Sequence, residues 1–211
     1  MQIRHTLFVF IYLVAIVPTL FTKGLHIDLG MLREGDLIFQ ETASQQSDAL
    51  LAATGSRWTH VGMFVYHDRR PCVYEAVGPV RFAPLEEFLS GSKNGKFIVM
   101  RLRNADRILT TLNLRRLKQA ALQYLGRQYD FYFRWDDRRM YCSEVLWKLF
   151  HRVLGIRIGV LRRFGSFDLN APPVRRLILQ RFGGKAPLDE LVIGPGDMAA
   201  SPLLRIVYAA P

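Results

Sequence analysis

The chain has 211 residues, half of them apolar, which is enough for one well-packed core and too few for two comfortable domains. Lys and Arg outnumber Asp and Glu by 29 to 18, so the formal net charge is +11. A surface of this charge attracts anions such as phospholipid headgroups, anionic envelope polymers or nucleic acid, and the charge alone does not choose among them. We therefore expect a single domain with a basic surface.

The amino-terminal segment has the pattern of a leader. Its first residues, MQIRHT, are weakly basic and precede an uncharged apolar run from Leu7 to Phe21. The run is shorter than the roughly 20 residues that a spanning helix needs, which favours a signal peptide, although no A-x-A site follows it. We predict that residues 1–24 are a signal peptide or membrane anchor and that residues 25–211 are exported, either periplasmic or anchored outside the cytoplasm. A buried core helix is the alternative.

The first predicted elements after the leader are a strand, a helix and a hairpin. Turn residues precede an apolar run at Leu37 to Gln40, which predicts a strand, and a capped segment from about Gln45 to Thr54 predicts a helix. The segments HVGMFVYH and CVYEAV are rich in β-branched and aromatic residues, and the polar HDRRP between them is typical of a turn. These two segments should form an antiparallel hairpin.

Three further elements are predicted in the second half of the chain. Phe97 to Leu102 has the composition of a strand. The segment NLRRLKQAALQYLG predicts an amphipathic helix capped at Asn113 and ending at Gly126, and a second helix should run from about Cys142 to Leu154.

A basic extension begins at about residue 156. Between Arg157 and Lys185 it carries seven cations against one acid, Asp168; the cations are Arg157, Arg162, Arg163, Arg175, Arg176, Arg181 and Lys185. The extension is either a solvated face over packed Leu and Ile or a surface that binds an anionic membrane or envelope polymer.

Cys142 is the candidate nucleophile. A thiolate needs a lowered pKa, and the unpaired N–H groups at a helix amino terminus supply positive potential. Cys142 follows the polar segment WDDRRMY and begins the predicted helix, so its sulfur should project from a loop–helix junction. The same N–H groups could form part of an oxyanion hole.

His60 and Glu75 are the candidate base and its orienting partner. His60 begins the first hairpin strand and Glu75 lies in the second, and the point midway between them falls in the predicted turn. The two residues should therefore be near-opposite and share a face, unless the register shifts by an odd number of positions.

Cys72 and the other four histidines are weaker candidates. His5 lies in the leader, His26 follows it, His67 is in the predicted turn, and His151 is nine residues after Cys142 on the same helix, too far along the axis to reach it. Cys72 and Glu75 differ by three positions and should point to opposite faces, so Cys72 is expected to be a small buried hydrophobe, with a disulfide to Cys142 as the alternative. No HxxxH pair and no Gly-rich phosphate loop occurs, so neither a metal nor a cofactor is expected.

Four segments resemble the successive motifs of the YiiX-type permuted papain-like hydrolases, a branch of the NlpC-type superfamily. They are EGDLIFQ, SQQSDALLAATGSRWTHVGMFV, VYEAV and GRQYDFYFRWDDRRMYCSEVLWKLF, within about Arg33 to Leu154. The YCSE motif around Cys142 is the most specific of them. In that family the order is histidine, polar residue, cysteine, so the resemblance implies His60 as base, Glu75 as third member and Cys142 as nucleophile.

The resemblance also implies a fold and an activity. The expected fold is α+β, a circularly permuted papain-like (NlpC-type) arrangement with a small antiparallel sheet packed against helices. Tyr129, Asp130 and Tyr141 fall within the matched block and are expected to line the cleft, with aromatic core packing as the alternative for the tyrosines.

The expected activity is a cysteine hydrolase that acts through a thioester on a peptide or amide bond in the bacterial cell envelope. The alternatives are a lipid acyltransferase or lipid hydrolase of the same fold, and a non-catalytic ligand-binding module. No nucleic-acid partner is expected, because no recognition motif accompanies the charge.

Overall fold

The computed structural model describes residues 27–210. The predicted leader at residues 1–24 lies outside the described residues, as do His5 and His26. Among the residues that are described, no helix is long and apolar enough to cross a membrane.

The chain alternates short helices with eight strands in the described part. The strands are β1 (Leu37–Gln40), β2 (His60–His67), β3 (Arg70–Ala76), β4 (Val80–Pro84), β5 (Phe97–Leu102), β6 (Arg162–Arg163), β7 (Leu191–Val192) and β8 (Leu204–Ala209). The helices are α1 (Gln45–Thr54), α2 (Leu85–Ser90), α3 (Ala105–Ile108), α4 (Thr111–Leu122), α5 (Cys142–Leu154), α6 (Pro172–Phe182) and α7 (Pro195–Ala199).

Six strands form one antiparallel sheet in the order β4-β3-β2-β1-β5-β8, and β6 pairs separately with β7. Alternate side chains of the sheet enter two cores. Met63 and Tyr74 on one face pack against α4 and α5, whereas Phe64 and Val73 on the other face pack against α2. The predicted α+β fold, an antiparallel sheet packed against helices, is therefore observed.

Several predicted elements are confirmed to the residue. The strand Leu37–Gln40, the helix Gln45–Thr54, the strand Phe97–Leu102 and the helix Cys142–Leu154 have the predicted bounds. Each of them is limited by a local signal; Gly155, for example, ends α5 in the left-handed conformation at φ +70°.

Two predicted boundaries are wrong. The cap of α4 is Thr110 rather than Asn113, because the Thr110 hydroxyl accepts a hydrogen bond from the Asn113 N–H, and the helix ends at Leu122. The hairpin turn is also shorter than predicted. Asp68 and Arg69 alone form it, both with positive φ, and β3 begins at Arg70.

The basic extension is part of the same body as the sheet. Helix α6 packs against α1, α7 contacts α5, and β8 pairs with β5 at the edge of the large sheet. The extension is thus built into the fold around the amino terminus of α5.

Candidate active site

Cys142 is the first residue of α5 and is buried. The preceding residue is tied to the helix because the Tyr141 N–H donates to the Glu144 carboxylate at 3.2 Å. This contact satisfies a terminal N–H group and fixes where the helix begins. The sulfur therefore lies where the sequence places it, at a loop–helix junction against the start of β2.

Four hydrogen-bonding groups surround the Cys142 sulfur, of which His60 is the strongest. Burial alone would raise the pKa of the thiol, but the hydrogen bond and charge of His60, followed by the N–H groups of Val61 and Ser143, lower it below its usual value. Burial would likewise lower the pKa of His60, yet Cys142 and then Glu75 raise it to about 10. Tyr129 is also hydrogen-bonded to the sulfur. Both shifts have the direction that favours a thiolate–imidazolium pair over a neutral thiol and imidazole.

Glu75 holds the other side of the His60 ring. His60 Nε2 lies 2.7 Å from Glu75 Oε2, and both side chains are buried. Because Nε2 faces Glu75, the ring nitrogen that faces the thiol is Nδ1. The burial of Glu75 opposes its charge, but the hydrogen bond and charge of His60, and then Arg81, hold the pKa of Glu75 below its usual value.

The hairpin register explains why His60 and Glu75 meet. Strand β2 pairs Met63 with Tyr74 and Phe64 with Val73, a register that places Gly62 rather than His60 opposite Glu75. The offset from the predicted register is two residues, and an even offset keeps both side chains on one face. Position 62 on that face has room only for glycine. A Cβ atom there would clash with the Val73 side chain at 2.2 Å and with the Phe88 ring at 2.9 Å.

Arg81 is a site residue that the sequence analysis missed. Its guanidinium donates two hydrogen bonds to Glu75 Oε1, at 3.0 and 2.8 Å, and pairs with Glu87 at 2.7 Å. Arg81 lies directly opposite Glu75 in the β3–β4 pair. A signal was available, since Gly78-Pro79 is a turn midway between the two charges, but the strand that carries Arg81 was not predicted.

Gln46 and Arg181 were also missed, and both act through Tyr129. Gln46 Nε2 donates to the Tyr129 hydroxyl at 2.7 Å, and Arg181 donates to Gln46 Oε1 at 2.8 Å. Arg181 comes from α6 and Gln46 from α1, so no local sequence pattern links them. Gln46, itself held by Arg181, fixes the Tyr129 hydroxyl beside Cys142.

The remaining predicted cleft residues have different positions. Tyr141 lines a cavity beside Cys142, and its hydroxyl accepts a hydrogen bond from the Ile193 N–H at 3.2 Å. Asp130 is buried, but its carboxylate accepts hydrogen bonds from the backbone N–H groups of Tyr132 and Arg134. It therefore holds the loop between α4 and α5. Asp130 lies outside the walls of the two cavities that border Cys142 and His60.

Both cysteines are free, so the alternative of a Cys72–Cys142 disulfide is wrong. Cys72 packs in the core on the sheet face opposite Glu75, as predicted, and burial raises its pKa. The other described histidines lie elsewhere: His67 stacks on Phe82 and His151 on Trp147.

Two cavities of opposite character meet at the catalytic candidates. The polar cleft is an open groove whose wall includes His60, Glu75, Arg81, Glu87 and Arg181. The apolar pocket lies on the other side, between α1 and α6, and has Cys142 in its wall. Gln46 and Tyr129 line both cavities and form the boundary between them.

Comparison with known proteins gives matches over most of the chain. The family model described as "Permuted papain-like amidase enzyme, YaeF/YiiX, C92 family" matches residues 31–208, and so extends through the segment after Leu154 in which we found no motif. The uncharacterized protein YiiX of Escherichia coli (strain K12) is 40% identical over 173 residues, which are 82% of this chain and 84% of that protein.

A solved structure is also similar. It is titled "Crystal structure of metalloprotein yiiX from Escherichia coli O157:H7, DUF1105", superposes with a TM-score of 0.81 at 39% identity, and the match covers 85% of this chain and 98% of that one. Within residues 27–210 of the present chain, no group of three or more His, Cys, Asp or Glu side chains is arranged to hold a metal ion. Glu75 is engaged by His60 and Arg81.

Proposed function

The chain belongs to the permuted papain-like amidases of the YaeF/YiiX, C92 family, and we propose that it cleaves an amide bond through a thioester on Cys142, with His60 as acid and base and Glu75 orienting His60. The observation that carries this proposal is the chain of contacts that runs, buried, from Cys142 through His60 to Glu75 and ends at the partly exposed Arg81.

Acylation begins from the thiolate–imidazolium pair. The Cys142 sulfur attacks the amide carbonyl carbon, and the carbonyl π electrons move to oxygen. Backbone N–H groups at the start of α5 and the Tyr129 hydroxyl are the nearest donors for that oxyanion. When the tetrahedral intermediate collapses, the C–N bond breaks and the proton on His60 Nδ1 passes to the leaving amine, which departs neutral.

Deacylation repeats the sequence with water as the nucleophile. Neutral His60 accepts a proton from water, the hydroxide oxygen attacks the thioester carbon, and the C–S bond breaks. The Cys142 thiolate is stabilised again by protonated His60, and Glu75 balances the charge of the imidazolium in both halves. The products are a carboxylic acid and an amine.

The cell envelope is the proposed place of action. That proposal is supported by the apolar leader pattern in the sequence, and a reporter enzyme fused after Asp28 tests it. Activity of the reporter outside the cytoplasm is expected, whereas activity only in the cytoplasm would contradict it.

The chemical proposal is tested by alkylation of the two cysteines. Iodoacetamide should label Cys142 at pH 7 at least about tenfold faster than Cys72, because His60 lowers the pKa of Cys142 whereas burial raises that of Cys72. Mass spectrometry of the peptides that contain each residue measures both rates in the same sample. Equal rates, or faster labelling of Cys72, would count against Cys142 as the nucleophile.

A further inference from the structure

We propose that Arg181 and Gln46 are positioning residues that fix the direction of the hydrogen bond between Tyr129 and Cys142, so that the Tyr129 hydroxyl donates to the sulfur. We call the contacts from Arg181 through Gln46 to Tyr129 the hydrogen-bond chain. This inference rests on the proposed role of Cys142 as the nucleophile, and it gives one residue of α1 and one of α6 a part in the chemistry.

The direction follows from the donors and acceptors along the hydrogen-bond chain. A guanidinium group has donors and no acceptor, so the Gln46 atom that lies 2.8 Å from Arg181 Nη2 is the carbonyl oxygen Oε1. The amide nitrogen Nε2 of Gln46 then faces the Tyr129 hydroxyl at 2.7 Å and donates to its oxygen. Because a hydroxyl group has a single hydrogen, the hydrogen of Tyr129 is left for its other neighbour, the Cys142 sulfur.

The ionisable groups around Tyr129 are consistent with a donor role. They are Cys142 from α5, Tyr141 directly before it, and Arg181 from α6. Burial, and then the charge of Cys142, raise the pKa of Tyr129 well above its usual value. The phenol therefore keeps its hydrogen over the pH range in which the thiolate forms, and can donate it to the sulfur.

Both ends of the hydrogen-bond chain are held in place by further contacts. Arg181 also donates to the Phe131 carbonyl at 3.2 Å, and its guanidinium lies over the Phe131 ring at 5.1 Å from the centroid. Tyr129 forms a β-bridge with Met140, just before α5 begins. Gln46 of α1 joins these two fixed ends, so its amide orientation is determined by Arg181.

The consequence for the thiolate is a second side-chain donor besides His60. A buried thiolate is destabilised by the loss of water, and a hydrogen bond aimed at it offsets part of that loss. A hydroxyl that presented a lone pair to the sulfur would have the opposite effect. The polarity set at Arg181 thus reaches the reacting atom through two intervening side chains.

Gln46→Glu tests this polarity with almost no change in shape. A carboxylate has no donor, so it accepts from Arg181 and from the Tyr129 hydroxyl, whose hydrogen then turns away from Cys142. The rate of Cys142 labelling by iodoacetamide rises with pH as the thiolate forms, and the midpoint of that rise should move to higher pH by about one pH unit. A hydrogen bond to a charged group typically corresponds to roughly a tenfold change in equilibrium or more.

A matched variant and a second background separate polarity from charge. Gln45→Glu adds the same charge at the adjacent, exposed position and should leave the midpoint in place. Tyr129→Phe should move the midpoint about as far as Gln46→Glu does. In the Tyr129→Phe background there is no hydroxyl to direct, so Gln46→Glu should add little further change.

Arg181→Met is an independent variant, which also covers the case that Gln46→Glu does not fold. Without Arg181 the Gln46 amide can turn over, so the midpoint should move to higher pH, by less than in Gln46→Glu, and this change too should vanish in the Tyr129→Phe background. Thermal melting reports the folding of each variant. A lower melting temperature with an unchanged midpoint would show that Arg181 only joins α6 to α1, and would overturn the proposal.

The remaining outcomes separate this proposal from the proposed function. If the wild-type Cys142 is labelled no faster than Cys72, the nucleophile assignment fails and the hydrogen-bond chain fails with it. If Cys142 is labelled rapidly and Gln46→Glu leaves the midpoint unchanged, the hydrogen-bond chain is wrong and the catalytic trio stands. An effect of Gln46→Glu that is equal with tyrosine or phenylalanine at position 129, or is matched by Gln45→Glu, would assign the change to charge alone and also overturn the proposal.

Discussion

The polar cleft and the apolar pocket differ in how the chain builds them. The charged residues of the cleft nearest Cys142 lie close together in the sequence, from His60 through Glu75 to Arg81, and three consecutive strands bring them together by pairing. The pocket walls come from α1, α5, α6 and the segment after β7, which are far apart in the sequence. The arrangement of the charged candidates is therefore set by strand register, whereas the apolar pocket is set by the packing of α6 on α1.

The largest expected effect comes from His60→Ala, which breaks the polar side and leaves the pocket walls intact. Without His60, burial is the largest influence left on Cys142 and raises its pKa, so the thiolate fraction at pH 7 falls. Iodoacetamide labelling of Cys142 at pH 7 should fall about a hundredfold and recover as the pH rises. Amide hydrolysis should fall about a thousandfold.

Thermal melting is the control for His60→Ala and reports whether the variant folds. Undiminished labelling of Cys142 at pH 7 in a folded His60→Ala variant would show that His60 does not set the reactivity of the thiol.

Glu75 should have an intermediate effect. Its carboxylate raises the pKa of His60, so Glu75→Gln should lower that pKa from about 10. In a plot of the Cys142 alkylation rate against pH, the change at alkaline pH should therefore move to lower pH. A hydrogen bond to a charged group contributes about 1.5–3 kcal/mol, which corresponds to roughly 10- to 150-fold in rate. Glu75→Gln should lie near the low end of that range and Glu75→Ala near the high end.

The measurement is the rate of Cys142 alkylation against pH for the wild type, Glu75→Gln and Glu75→Ala, with thermal melting as a check on folding. If the three profiles coincide, Glu75 is not coupled to the Cys142–His60 pair. It would then be only a buried strand residue paired with Arg81.

The smallest effect is expected for Arg81→Gln. The Arg81 side chain is 38% exposed, so solvent screens its charge, and the loss in rate should be less than about tenfold. Arg81 helps to hold the pKa of Glu75 below its usual value, so its removal should move the acid limb of the labelling rate to higher pH. An acid limb that stays in place would show that Arg81 does not tune Glu75.

The catalytic candidates could be predicted from sequence because each depends on a local pattern. Cys142 begins a helix whose bounds follow from its apolar periodicity and from Gly155. His60 and Glu75 lie in two strands joined by one turn, and alternation along strands puts them on one face even though the predicted register was off by two residues.

Arg81, Gln46 and Arg181 were missed for two different reasons. Arg81 lies in β4, a five-residue strand whose weak pattern follows a Gly-Pro turn, so a closer reading of the local sequence could have found it. Gln46 and Arg181 are 135 positions apart and meet only because α6 packs on α1. No periodicity in either helix specifies that partner.

Helix signals and side-chain alternation within a few strands are enough to predict the leader pattern, most element bounds, the candidate nucleophile and the pairing of His60 with Glu75. That the basic extension closes an apolar pocket against Cys142 follows from the tertiary structure alone. The composition of α6 shows that one face is apolar and another is basic, but the free energy of packing that face depends on the complementary surface of α1. That surface exists only when segments distant along the chain are folded together.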